Sequence, residues 1–488
     1  MSSQTIPNGL MQRAYLTPNR VAVETPQTSL TFQELHKRVQ KVAQQLSFNG
    51  VKQGDTIALY MKNRVEFIEI LHAVSYIGAR LLLVNTRLTN EEINYQLTDA
   101  NVSLLIADET FLMREFQSSI TQLTLPALKS SPEAETGFQK TWNLEDTFTI
   151  MYTSGTTGHP KGVLQTYGNH WWSSVGSALN LGLNEKDCWL IAVPLFHISG
   201  LSILMRSVFY GMKIILEERF EARAVNEAIE NKGVTIISVV TSMLSNMLDE
   251  LAERKYPNTF RCMLLGGGPA PLTILEACVN KEIPVYQTYG MTETSSQFVT
   301  LSPEDSLRKL GSAGKPLFPC AMKIVDEKGN ETSKAGEIIV KGPNVTKGYL
   351  NKPEATQKAI QQGWFYTGDI GKVDEEGFLY VLDRRSDLII SGGENVYPAE
   401  IENVLLKHPA VKEAGVTGVA DEKWGQVPAA CVVVVNEDVS DEELSLHIQQ
   451  FLAKYKLPKY FVRVEELPRT ASNKIIRRKL SSFIQKGS

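Results

Sequence analysis

Residues 147–162 read TFTIMYTSGTTGHPKG, and this stretch decides the fold class. Its first part, TFTIMYT (147–153), has the length and composition of a buried strand. The ten residues from its last position, Thr153-Ser154-Gly155-Thr156-Thr157-Gly158-His159-Pro160-Lys161-Gly162, hold three glycines, four hydroxyl side chains and one lysine. Glycines leaving the end of a strand let backbone N–H groups curl round an anion, and hydroxyls add donors. Lys161 adds a positive charge suited to a polyphosphate. The loop is not a Walker A loop, which needs Gly-Lys-Ser/Thr in direct succession, because Pro160 precedes Lys161.

On either side of this loop, strand and helix patterns alternate. Thr31 with Glu34 and Thr89 with Glu92 are capping-box signatures ahead of helices. TIALYM (56–61), LLLV (81–84) and VSLLIA (102–107) read as buried strands, as do CWLIAVPL (188–195), VTIISVV (234–240) and RCMLL (261–265). Such alternation predicts an α/β fold of parallel sheets covered by helices. Residues 110–146, polar and including KSSPEAETG, read as a surface connection. Beyond about 300, short strands separated by glycine turns predict an antiparallel, barrel-like part. A small α+β unit follows DRRSD (383–387). The expected division is a large N-terminal domain over 1–382, a hinge over 383–387 and a small mobile domain over 388–488.

Composition narrows the function classes. The 488 residues carry a net charge of −4, which argues against a general nucleic-acid binder. No apolar run is long enough to cross a membrane, and the start, MSSQTIPNGLMQRAY, lacks a signal-peptide core, so a cytoplasmic protein is expected. Five scattered cysteines with no C-x-x-C pair suggest neither a disulfide framework nor a zinc site.

The 153–162 loop resembles the phosphate loop of the acyl-adenylate-forming enzymes, a family of acyl-CoA synthetases, adenylation domains and luciferases. Further motifs follow in the family's order. The resemblance makes Thr153, Ser154, Gly155, Thr156, Thr157, Gly158 and Lys161 nucleotide-binding. In Tyr289-Gly290-Met291-Thr292-Glu293, it places Tyr289 against adenine, Thr292 on the α-phosphate and Glu293 on magnesium, with Thr294 on the substrate side. Gly266-Gly267-Gly268-Pro269 would border adenine and the acyl pocket, and Asp369 of Thr367-Gly368-Asp369 would hold the ribose. Arg384 matches the arginine on the ribose or phosphates, and Ser386 takes the hinge position, where many relatives carry Asp or Lys. Gly392 and Gly393, in SGGENVYP (391–398), match the loop that lines the thiol's approach. Lys474 matches the adenylating lysine, preceded by Asn473 where the family usually has Gly. Asn tolerates positive φ next best after Gly, so the turn is expected to survive. Residues 454–486 hold ten basic and two acidic side chains, a positive field for ATP and for the phosphates of coenzyme A.

The implied chemistry has two steps. The carboxylate attacks the α-phosphorus of ATP, giving acyl-AMP and pyrophosphate, with Lys474 and Thr292 stabilising the crowded centre. A thiol then attacks the acyl carbonyl and AMP leaves, after the small domain has rotated about the hinge. PLFHISGL (194–201) matches the entrance of the acyl pocket, so His197 and Ser199 are candidate acid-site residues. Arg206, on an otherwise apolar helix, either snorkels to solvent or pairs with a second substrate carboxylate. The stretches QTYGNH, LLGGGPAPL, YGMTETSSQ and LGSAGKPLF are most similar to the o-succinylbenzoate–CoA ligase branch of the family, which serves menaquinone biosynthesis. The resemblance implies a carboxylic acid, ATP, magnesium and coenzyme A as ligands, with no nucleic acid and no integral membrane association. Oligomeric state stays open. So do another aryl- or medium-chain acyl-CoA synthetase, a stand-alone adenylation module loading a carrier protein, and a nucleotide-responsive binding module.

Overall fold

The computed structural model describes residues 4–111, 120–153, 160–267, 272–326, 328–384, 389–435, 439–468 and 477–487. Two sheets built largely from parallel strands carry the N-terminal part. The first runs Lys161–Thr166, Thr147–Thr153, Arg80–Leu83, Thr56–Tyr60, Leu104–Ala107, Thr121–Thr124. Its strands are parallel except the first pair, where Lys161–Thr166 turns back antiparallel on Thr147–Thr153. That reversal brings Lys161 opposite Thr153.

The second sheet has nine strands among the described residues. Parallel Cys188–Ile191, Ile236–Val240, Cys262–Gly266 and Val285–Met291 lie at its centre. Ser296–Leu301 returns antiparallel on Val285–Met291, so the Thr292–Thr294 turn sits at that end of the sheet. Cys188–Ile191 and Cys262–Gly266 are short and buried along nearly their whole length, as strands covered on both faces are. Both capping boxes form, on Phe32–Phe48 and Asn90–Asp99.

A third sheet, antiparallel as the glycine turns require, joins Ala321–Val325, Gly336–Lys341, Ile360–Gln361, Trp364–Val373 and Leu379–Arg384. The C-terminal sheet packs its own core of Val396, Ile401, Val416, Val432, Leu444 and Ile448. The cysteines are free, as expected, and no described helix is long and apolar enough to cross a membrane.

The surface connection expected over 110–146 is more ordered than its composition suggests. It contains the edge strand Thr121–Thr124, the helix Leu125–Ser130 and the strand Thr141–Asn143, which pairs with Thr5–Pro7. An edge strand with one exposed side needs no apolar run, so TQLT carries no strand signature. Trp142 anchors the segment, stacked on Tyr167 with centroids 4.6 Å apart.

Candidate active site

A cleft of about 1450 Å³ opens between the ends of the two large sheets, the third sheet and the C-terminal domain. The order of the strands dictates where the expected residues fall. Thr153 and Lys161 reach it from the reversed pair, Gly266 and Gly267 from the end of Cys262–Gly266, and Gly290, Met291, Thr292 and Glu293 from the neighbouring strand and turn. Asp369 enters from the third sheet, where its backbone pairs in register with Arg384. His197, Ser199 and Arg206 come from the start and one face of the helix Ile198–Tyr210, and Gly392 and Gly393 from the C-terminal domain. Ser154, Gly155, Thr156, Thr157, Gly158, Gly268, Pro269, Ser386 and Lys474 lie outside the described residues, as does the side chain of Arg384.

Glu293 is buried on the cleft wall, and Tyr349 donates its hydroxyl to Glu293 Oε1 at 3.1 Å. Burial raises its pKa, and the nearby Asp369 charge adds to this; the Tyr349 hydrogen bond and Lys161 oppose them. Lys161 Nζ sits 5.2 Å from the centroid of the Tyr349 ring.

The turn bearing Thr292 and Glu293 is held at four successive carbonyls. Gln165 Nε2 donates to Thr292 O at 2.8 Å, Thr346 N to Glu293 O at 2.7 Å, Asn344 Nδ2 to Thr294 O at 2.9 Å, and Ser173 Oγ to Ser295 O at 2.6 Å. Behind Gln165 runs a buried chain: its Oε1 accepts from the Thr149 hydroxyl at 2.9 Å, and Thr149 Oγ1 lies 2.8 Å from His170 Nε2. Because Thr149 spends its proton on Gln165, His170 Nε2 carries the hydrogen that Thr149 accepts. Burial lowers the His170 pKa to about 3, so the ring is neutral and the chain has one direction.

Two expected positions sit off the cleft wall. The ring of Tyr289 packs with Phe298, Phe365 and Ile338, and its hydroxyl donates to Asp369 Oδ2 at 2.7 Å, so it orients that carboxylate. Thr294 is buried with its hydroxyl on the backbone, accepting from Met291 N at 2.9 Å and lying 2.8 Å from Ser296 O. It caps the turn.

Arg206 does not snorkel. It is 1% exposed, because the helix that carries it is buried from Gly200 to Val208. Its guanidinium lies 5.3 Å from the Trp189 ring centroid, and Nη2 donates to Ser296 Oγ at 3.2 Å. Nε is buried without a partner, and no carboxylate pairs with Arg206 among the described residues. Burial lowers its pKa, as expected for a cation in a dry wall.

His197 is half-exposed at the cleft rather than buried in the core, with Nε2 3.5 Å from Glu394 Oε2. Glu394 also pairs with Arg87 Nη1 at 2.9 Å. Burial opposes its charge, but His197, Arg87 and Asn85 outweigh that and hold its carboxyl below the ordinary range. Gly392 and Gly393 have φ of 57° and 83°, and a Cβ on Gly392 would come within 2.6 Å of the Trp424 ring. The turn therefore requires glycine. Glu394, Arg87, Gln165, Tyr349 and Trp189 were not singled out from the sequence, because their partners are remote in the chain.

The AMP-binding enzyme profile matches residues 10–350, and the profile of the AMP-binding enzyme C-terminal domain matches 400–474. The chain belongs to the AMP-binding enzyme family. Among similar members, the 2-succinylbenzoate–CoA ligase of Geobacillus kaustophilus is 60% identical over 484 residues, 99% of each chain, and that of Bacillus mycoides 54% identical over 483 residues, also 99% of each. A double mutant of o-succinylbenzoate CoA synthetase from Bacillus subtilis, bound to its product analogue OSB-NCoA, is similar with a TM-score of 0.95, 50% identity and 98% of each chain covered. The same bacterium's enzyme in complex with the acyl-adenylate intermediate OSB-AMP covers the same share at the same identity, with a TM-score of 0.78.

Proposed function

We propose that this AMP-binding enzyme couples 2-succinylbenzoate to coenzyme A at the expense of ATP, releasing AMP and pyrophosphate. The observation that carries the reading is the cleft itself. It unites Thr292, Glu293 and Asp369, read as the adenylate-binding wall, with a buried arginine that no carboxylate pairs among the described residues. Kinship at 60% identity over nearly the whole chain with enzymes of that name supports it.

In the first step an oxygen of the ionised succinyl carboxylate bonds to the α-phosphorus, and the bond to pyrophosphate breaks. No general base is needed. Lys161 and the 153–162 loop hold the phosphates, Thr292 an α-phosphate oxygen, and Asp369 the ribose hydroxyls. Glu293 offers the hard oxygen donor that magnesium takes, and the ion neutralises phosphate charge when bound. Lys474 is delivered to the reacting carboxylate and phosphate. Arg206 pairs with the aromatic carboxylate, and His197 and Ser199 line the acid site.

In the second step the sulfur of coenzyme A bonds to the acyl carbonyl carbon, its proton is lost, and AMP leaves. The C-terminal domain turns about 383–387, Ser386 included, to bring Gly392 and Gly393 to the cleft. The higher TM-score with the OSB-NCoA complex than with the OSB-AMP complex supports reading the present arrangement as that of thioester formation.

The test is a panel of acids with ATP and coenzyme A, read by AMP release and thioester mass. 2-Succinylbenzoate is expected to turn over, and benzoate, coumarate and octanoate to fall at least about tenfold behind, since each lacks the second carboxylate that a buried cation rewards. Absence of ATP–pyrophosphate exchange with every acid overturns the reading.

A further inference from the structure

Lys456 belongs to the basic 454–486 segment, yet it is among the most deeply buried charges of the protein, 3% exposed. It belongs to the C-terminal domain, on the short turn Lys454–Lys456. Its ammonium hydrogen-bonds Glu92 Oε1 across the domain boundary and Glu400 Oε1 at 2.9 Å within its own domain. Glu92 is the carboxylate of the capping box on Asn90–Asp99, and its other oxygen accepts from Thr89 N at 2.9 Å. One carboxylate therefore ends a helix of the N-terminal domain and receives the C-terminal domain at once.

Neighbouring contacts converge on the same short segment. The Thr89 hydroxyl lies 3.0 Å from Phe451 O, and Arg87 pairs with Glu394 at 2.9 Å. Residues 85–92 thus meet the C-terminal domain at three separate elements: the 391–398 loop, the end of the helix Asp441–Phe451 and the turn Lys454–Lys456. Burial opposes the charge of Lys456, but Glu400 and Glu92 outweigh it and keep the ammonium charged. Burial pushes the Glu400 carboxyl up, and its Oε2 is buried without a partner.

We propose that Lys456, bridging Glu92 and Glu400, is a positioning residue that selects the thioester-forming orientation of the C-terminal domain. The inference rests on the two-step reading above. Its physical basis is that the bridge spans the two domains. Removing a buried partner normally destabilises a fold, because the other charge stays stranded. Here the domains can part and let water reach Glu92, so the penalty falls on the docked orientation and not on either domain's core. Without Lys456, two carboxylates face one another across the boundary.

Lys456→Met and Glu92→Gln separate the possibilities, because Gln at that position still completes a capping box. Full-length enzyme is assayed in two ways: ATP–pyrophosphate exchange with 2-succinylbenzoate, and thioester formation from coenzyme A and the supplied acyl-adenylate. Lys456→Met is expected to slow transfer at least about tenfold while exchange stays within about twofold. Glu92→Gln is expected to slow transfer less, because Glu400 still holds the ammonium. The double variant Glu92→Gln/Lys456→Met is expected to recover transfer relative to Lys456→Met, a rescue that damage to the fold does not produce.

Unchanged transfer in both single variants overturns the proposal, as does equal slowing of both steps in Glu92→Gln. If Lys456→Met does not fold, Glu92→Gln alone decides between these outcomes. Absence of exchange in the unmodified enzyme would instead overturn the two-step reading, so the two failures are distinguishable.

Discussion

Replacing Arg206 by Met should make the ligand-free protein more stable and the enzyme worse. Stripping water from a guanidinium costs several kcal/mol. In return Arg206 has, among the described residues, one hydrogen bond to Ser296 Oγ and a face of Trp189, together about 2–4 kcal/mol, and its Nε has no partner there. Without substrate the balance is unfavourable, and an apolar side chain of similar length should stabilise by about 1–4 kcal/mol. With substrate the sign reverses. A carboxylate entering the wall pairs with a cation already desolvated and aimed, and losing such a buried partner costs about 2–5 kcal/mol. The KM for 2-succinylbenzoate should rise about 30-fold or more, while that for ATP stays within about twofold. Thermal unfolding without ligands and initial rates of AMP release against each substrate measure both halves. A lowered midpoint together with an unchanged KM for the acid refutes the reasoning.

Lys474→Ala should abolish ATP–pyrophosphate exchange and leave thioester formation from supplied acyl-adenylate largely intact; equal loss in both assays contradicts the assigned role. Gln165→Leu strands Thr292 O and the Thr149 hydroxyl, a cost of about 1–3 kcal/mol, and should slow exchange and raise the magnesium requirement more than it affects transfer, seen in a magnesium titration of both half-reactions. Glu394 has a depressed pKa in the folded state, so its contribution is fully present above the ordinary carboxylate pKa and is lost as pH falls through the depressed value. The unfolding midpoint of the unmodified protein should therefore exceed that of Glu394→Gln at pH 7, and the gap should close below about pH 4. A gap independent of pH contradicts that assignment.

What could be read from the residues alone was whatever the chain encodes over a few positions. The buried strand Thr147–Thr153 and the capping boxes at Thr31 and Thr89 depend on near neighbours, and each lies where its local pattern put it. The α/β class and the antiparallel third sheet follow from the same periodicities. The edge strand Thr121–Thr124 escaped because its stability comes from pairing with Leu104–Ala107 and not from its own composition.

The site divides along the same line. Its residue types were legible as motifs, but their orientation was not. Whether Arg206 faces water or a dry wall depends on Trp189 and Ser296, and whether Tyr289 meets a ligand or holds Asp369 depends on a strand 80 residues away. The links Gln165 to Thr292, Glu394 to Arg87 and Lys456 to Glu92 join positions more than 100 residues apart. A local pattern records which side chains an element can bury, whereas a charge or hydrogen bond gains its strength from the particular group that folding brings opposite it. The sequence by itself therefore determined the elements and the class of chemistry, and the tertiary structure decided which charges stand paired, which lies buried with no carboxylate beside it among the described residues, and which bridges the two domains.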